Sequence, residues 1–105
     1  MLTIQELKFE TTTVLALNGR LDGQTGPSLD EVIPDAGLVV LDLSELSYVS
    51  SAGLRSILQA LKKTKSAGGS LRLCSIQPTV LKLLELSGFL SLVSTYPDRE
   101  GALNA

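Results

Sequence analysis

Leu41-Asp42-Leu43-Ser44-Glu45-Leu46-Ser47-Tyr48-Val49-Ser50-Ser51-Ala52-Gly53-Leu54 is the stretch that decides the fold. Its first residues close the apolar run Gly37 to Leu43, bounded by turn formers, which reads as a strand covered on both faces. Ser44 to Val49 reads as a loop, and a helix follows from Ser50-Ser51 to Gly68-Gly69. Leu54, Ile57, Leu58 and Leu61 stand at i, i+3, i+4 and i+7 and form one apolar stripe. Arg55, Gln59, Lys62 and Lys63 lie largely off it, and Lys62, Lys63 and Lys65 suit the negative end of the helix dipole.

The helix start is the chemically informative place. Its first amides have no intrahelical partner and its dipole end is positive, so it suits a phosphate. Two hydroxyls, Ser50 and Ser51, stand there. Serine is also a favoured N-cap, and local chemistry alone favours that reading. The two roles are compatible, because a capping hydroxyl lies at an exposed helix end. Gly53 in the first turn weakens the helix by on the order of 1 kcal/mol. That cost suggests room kept for close approach by another molecule.

Outward from this segment, Leu2 to Phe9 reads as a strand whose apolar phase slips, from Leu2 and Ile4 on one face to Leu7 and Phe9 on the other. A bulge or an edge position would explain the slip. Thr11 to Leu17 is a second strand, joined to the first as a hairpin. Asn18-Gly19 is expected to turn the chain into Arg20 to Thr25. Pro27-Ser28 opens a short helix through Val32, and Pro34 stops it. Downstream, Leu71 and Leu73 alternate with Arg72 as a strand, and Pro78 to Leu86 form a helix ended by Gly88. Leu90 to Val93 read as a last short strand, and Asp98 to Ala105 as a polar tail with a helical turn. The order is β-β-α-β-α-β-α with a possible final strand. It implies an α/β fold whose sheet has parallel neighbours, with helices packed on it.

Composition narrows the function. The 105 residues fit one domain, with 44% hydrophobic and 19% charged residues and a net charge of -2. That charge predicts no nucleic-acid partner. No apolar run is long enough for membrane insertion, the N-terminus does not read as a signal peptide, and the single Cys74 forms no internal disulfide. A cytoplasmic location is the expectation. The absence of histidine removes the commonest general base and metal ligand. Neither a metal site nor a cofactor is expected, and no catalytic residue is assigned. Cys74 is expected in a packed layer, Asp42 is expected to bond nearby backbone, and the lysines from Lys62 onward are expected to form a solvated face.

Leu41 to Leu54 resembles the signature of STAS domains, as found in bacterial anti-sigma-factor antagonists. That signature is an apolar-Asp/Asn-Leu strand, a loop, then a phosphorylatable Ser or Thr followed by a small residue, Gly and Leu at a helix start. Gly19-Arg20-Leu21-Asp22 resembles the family's Gly-x-Leu-Asp loop, and Gly68-Gly69, Pro78 and Leu86-Ser87-Gly88 match its later half in order. The resemblance implies a single STAS domain over residues 1–105, with a mixed sheet of four or five strands and helices packed on it. It implies a partner switch and no enzyme. The unphosphorylated antagonist binds an anti-sigma-factor serine kinase and frees a sigma factor, the kinase phosphorylates the acceptor with ATP, and a phosphatase restores it. Ser51 takes the acceptor position, with Ser50 as the alternative. Asp22, Gly23, Thr25, Ser50, Ser51, Ala52, Gly53, Leu54 and Arg55 are the implied partner-binding residues.

This chain departs from the family pattern in two places. Ser50 stands where several members carry Asp, and the segment from Thr25 to Ala36 is short. Asp22 has a plainer role open to it, as a turn residue bonding its own backbone. A serine hydrolase reading finds no Gly-x-Ser-x-Gly elbow, no histidine and no Ser-x-x-Lys at this helix. The other reading is a STAS signalling or transport-accessory module that binds a protein partner without sigma-factor regulation.

Overall fold

A computed structural model describes residues 1–105. The strands are β1 (Leu2–Phe9), β2 (Thr12–Leu21), β3 (Leu38–Val49), β4 (Ser70–Cys74) and β5 (Ser94–Tyr96). The helices are α1 (Gly26–Val32), α2 (Ser51–Ser66), α3 (Pro78–Leu86) and α4 (Arg99–Asn104), with a 3-10 turn at Phe89–Ser91. The strands form one sheet in the order β1-β2-β3-β4-β5. β1 runs antiparallel to β2, and every other neighbouring pair is parallel. The expected α/β architecture with a mixed sheet is present, with five strands.

Strand alternation sends successive side chains to opposite faces of the sheet. Leu15, Leu17, Val39, Leu41, Leu43, Leu71 and Leu73 join α1, α2 and α3 in the main core, with Leu29, Ile57, Val80 and Leu84 from the helices. Val14, Val40 and Cys74 point the other way and pack with Ala102 of α4. The phase slip in β1 follows from this division. Leu2 and Ile4 pack on the main core and Leu7 on the smaller cluster, while the β1–β2 register is unbroken. β1 is therefore a regular edge strand.

Three expectations are corrected. Asn18-Gly19 is not a turn: it lies inside β2, where Gly19 takes a φ of 116°. Ser44 to Val49 is not a loop but the second half of β3. Opposite β2, two register shifts each insert one extra β3 residue: Ala16 and Asn18 face Asp42 and Glu45, and Gly19 and Arg20 face Leu46 and Tyr48. Leu43, Leu46 and Val49 thereby all reach the core although they are three residues apart. Finally, Leu90 to Val93 is not a strand. Gly88, at a φ of 77°, leads into the 3-10 turn, and the last strand is the more polar Ser94–Tyr96 paired with β4.

α2 also faces inward differently from its leucine stripe. Its buried residues are Gly53, Ser56, Ile57, Ala60, Leu61 and Thr64. Leu54 and Leu58 are only half-buried. Small residues line the inner side because neighbouring backbone runs close there. A Cβ on Gly26 of α1 would collide with the Ser56 hydroxyl, and one on Gly53 would collide with the carbonyl oxygen of Leu21.

Candidate functional site

The site lies where β2 and β3 end and α2 begins. Ser50 takes the N-cap with extended backbone, and its hydroxyl accepts the Gly53 N–H at 3.1 Å. Its own N–H donates to the Leu21 carbonyl at 3.0 Å, and its carbonyl accepts the Leu54 N–H at 2.8 Å. These bonds fix the helix start against the end of β2.

Ser51 is the first helical residue and is exposed. Its hydroxyl makes no hydrogen bond within the protein, unlike that of Ser50, so the two serines divide the roles that the sequence left open between them. Ser50 is the cap, and Ser51 presents a free hydroxyl beside a positive helix end.

The turn Asp22 to Thr25 lies against this start: a Cβ on Gly23 would sit 3.5 Å from the Ala52 methyl, an ordinary contact. Asp22 Oδ1 accepts the N–H of Gln24 at 3.0 Å and that of Thr25 at 3.1 Å. The Thr25 hydroxyl accepts the Asp22 N–H at 2.9 Å and is shared between the Arg20 carbonyl and Asp22 Oδ1 as acceptors. The Thr25 N–H, then the Gln24 N–H and the Thr25 hydroxyl, hold the Asp22 carboxyl below the usual carboxylate range against a smaller desolvation effect. The plainer role for Asp22 is thus realised. The same bonds also hold its charge in a rigid turn next to the helix start. Thr25 spends its hydroxyl on the turn and gives α1 no side-chain cap.

The implied partner residues are unequally accessible. Gly23, Ser51 and Arg55 are exposed, while Asp22, Thr25, Ser50, Ala52 and Leu54 are half-buried. Gly53 is buried, and the close approach it permits is with Leu21 of its own chain, not with another molecule. That corrects the expectation of room kept there.

On the other sheet face, Asp42 does bond nearby backbone, accepting the Ser44 N–H at 3.0 Å. It also accepts Arg99 Nη2 at 2.7 Å and Nε at 3.1 Å, a fork from α4 that sequence spacing did not suggest. Burial pushes the Asp42 carboxyl up, but the Ser44 amide and the Arg99 bonds together outweigh it and leave it below the ordinary value. Cys74 lies buried in the smaller cluster, and burial pushes its thiol up against a smaller opposing effect of Ser75. No group of three or more Cys, Asp or Glu residues could hold a metal ion, and no helix is long and apolar enough to cross a membrane.

The family model of the STAS domain matches residues 4–102. The Anti-sigma F factor antagonist of Paenibacillus polymyxa is 31% identical over 86% of this chain and 82% of its own. BtrV of Bordetella bronchiseptica is 46% identical over 64% of this chain, and this match spans only 58% of that protein. Among solved structures, an anti-sigma factor antagonist from Mycobacterium paratuberculosis superposes with a TM-score of 0.83 over 99% of this chain and 92% of its own, at 22% identity.

Proposed function

The chain belongs to the STAS domain family, and from that premise we propose that it is an anti-sigma-factor antagonist whose binding is switched by phosphorylation of Ser51. The single observation that carries this reading is the exposed Ser51 hydroxyl, free of any internal bond, at the first turn of α2. The name of the Paenibacillus relative supports the same role. The whole chain acts as one domain and as a regulatory binding protein rather than an enzyme.

In the unmodified state Asp22, Gly23, Thr25, Ala52, Leu54 and Arg55 surround a neutral hydroxyl and meet an anti-sigma-factor serine kinase, which then releases its sigma factor in the cytoplasm. The Ser51 oxygen attacks the γ-phosphorus of the kinase's ATP. The bond to the ADP oxygen breaks, and the hydroxyl proton leaves to a base of the kinase. The phosphoserine adds roughly -1.5 to -2 charge units near neutral pH. The helix end tolerates that charge, but a partner surface shaped for a hydroxyl does not, and the Asp22 carboxylate adds to the negative field. A phosphatase removes the phosphate and restores binding.

The test is phosphate mapping by mass spectrometry after incubation with the kinase and ATP. Phosphate on Ser51 is expected, and its absence from both Ser50 and Ser51 would defeat the switch.

A further inference from the structure

Beside Ser51 runs a shallow groove of about 250 Å³, lined by Ser51, Leu54, Arg55, Leu58, Ser87, Phe89 and Leu92. Two features of this groove bear on what it could hold. First, Leu54 and Leu58 pack against the edge of the main core but stay half-buried, outside the fully buried contact made by Ile57, Ala60 and Leu61. The far wall, Leu92, is 54% exposed. Aliphatic side chains so placed stay partly wet unless a partner covers them. Second, Arg55 is the only charged residue lining the groove. The ion pairs of the protein join Lys8 to Glu6, Lys63 to Asp35 and Arg99 to Asp42, so Arg55 has no carboxylate of its own.

We infer that this groove is the apolar half of the docking surface for the anti-sigma-factor kinase, and that Arg55 is the residue through which Ser51 phosphorylation closes it. The inference rests on the switch proposed above. The occupant is a segment of the kinase with an aliphatic side chain beside a carboxylate: the side chain enters between Leu58 and Leu92, and the carboxylate pairs with Arg55. Ser51 and Arg55 are separated by one helical turn, the i, i+4 spacing at which side chains meet. A phosphate on Ser51 takes Arg55 by a charge-assisted bond, which is stronger than a neutral one. Modification thus removes the partner's counter-charge as well as placing a negative group at the head of the groove.

Kinase affinity is measured for the wild-type chain and for Ser51→Asp, Leu92→Ser, Arg55→Gln and Arg55→Lys, with thermal melts confirming that each variant is folded. The expected result is loss by Ser51→Asp, weakening of about tenfold for Leu92→Ser and Arg55→Gln, and partial recovery in Arg55→Lys. Wild-type affinity in either Leu92→Ser or Arg55→Gln, with Ser51→Asp still defective, overturns the groove and leaves the switch standing. No binding by the wild-type chain overturns both. A phosphorus NMR titration of the phosphorylated chain reads the second step. Its second pKa should lie below about 6 and rise toward that value in Arg55→Gln. An unchanged titration would overturn the competition for Arg55.

Discussion

The N–H of Ser50 donates to the carbonyl of Leu21 at 3.0 Å, tying the start of α2 to the end of β2. The Ser51 hydroxyl therefore sits on a fixed mount, and under the proposed switch a charge added to it is expected to act on a partner rather than on the fold. Ser51→Ala is expected to bind the kinase and to resist release by ATP, while Ser51→Asp binds poorly. A loss on the order of 3 kcal/mol corresponds to about a hundredfold in affinity. Calorimetric titration with and without ATP reads both variants, and equal binding by the two would reject the charge mechanism.

Ser50 holds the helix end and Ser51 does not. Ser50→Ala should lower stability by about 1 kcal/mol through loss of the bond to the Gly53 amide. Ser50→Asp should stay near wild type, because a carboxylate caps as well as a hydroxyl does. Urea unfolding separates the two. No loss in Ser50→Ala would mean that the cap contributes nothing.

Gly53→Ala sets two effects against each other. Alanine gains about 1 kcal/mol of helix propensity, but its Cβ would meet the backbone oxygen of Leu21, which cannot swing aside. Overpacking of this kind costs about 1–3 kcal/mol and requires the helix start to move. The expected outcome is net destabilisation with weaker kinase binding. A stabilised variant would show that α2 and β2 are less closely seated.

The Asp42–Arg99 fork predicts an acid-sensitive contact. The folded Asp42 carboxyl lies below its unfolded value, so its contribution is complete above that unfolded value, near 3.9. It is lost as pH falls through the lower folded value. Arg99→Ala should cost about 1–2 kcal/mol at neutral pH, less than a fully buried pair, because the Arg99 side chain is 37% exposed. It should also flatten the pH dependence of stability in the acid range. Denaturation followed between about pH 2 and 6 reads both effects, and an unaltered acid profile would remove Asp42 from the account.

Much of this architecture was legible in residue order. Gly37 to Leu43 read as a buried strand because both of its faces are covered, by α1 to α3 on one side and α4 on the other. The start of α2 was equally clear, since Ser50-Ser51 precedes a strong 3.6-residue period. The second half of β3 was hidden because its bulges turn a period of two into the spacing Leu43, Leu46, Val49, which resembles no regular strand. The dense apolar run Leu90 to Val93 drew the last strand away from Ser94–Tyr96, whose pairing with β4 depends on the fold rather than on its own side chains. At the site, residue identity marked both serines, but only cap geometry divided their roles. The link between Asp42 and Arg99 spans 57 positions and has no local signature.

The bond from the Arg20 N–H to the Met1 carbonyl, at the outer end of β2, has a practical side. It brings the first residue to the same rim of the sheet as Ser51. α4 leads the opposite way, from Arg99 at Asp42 toward Leu103 packed on the cluster around Val40. An affinity handle or sensor-chip tether joined after Ala105 would lie away from Ser51, whereas one joined before Met1 would lie on its side of the sheet.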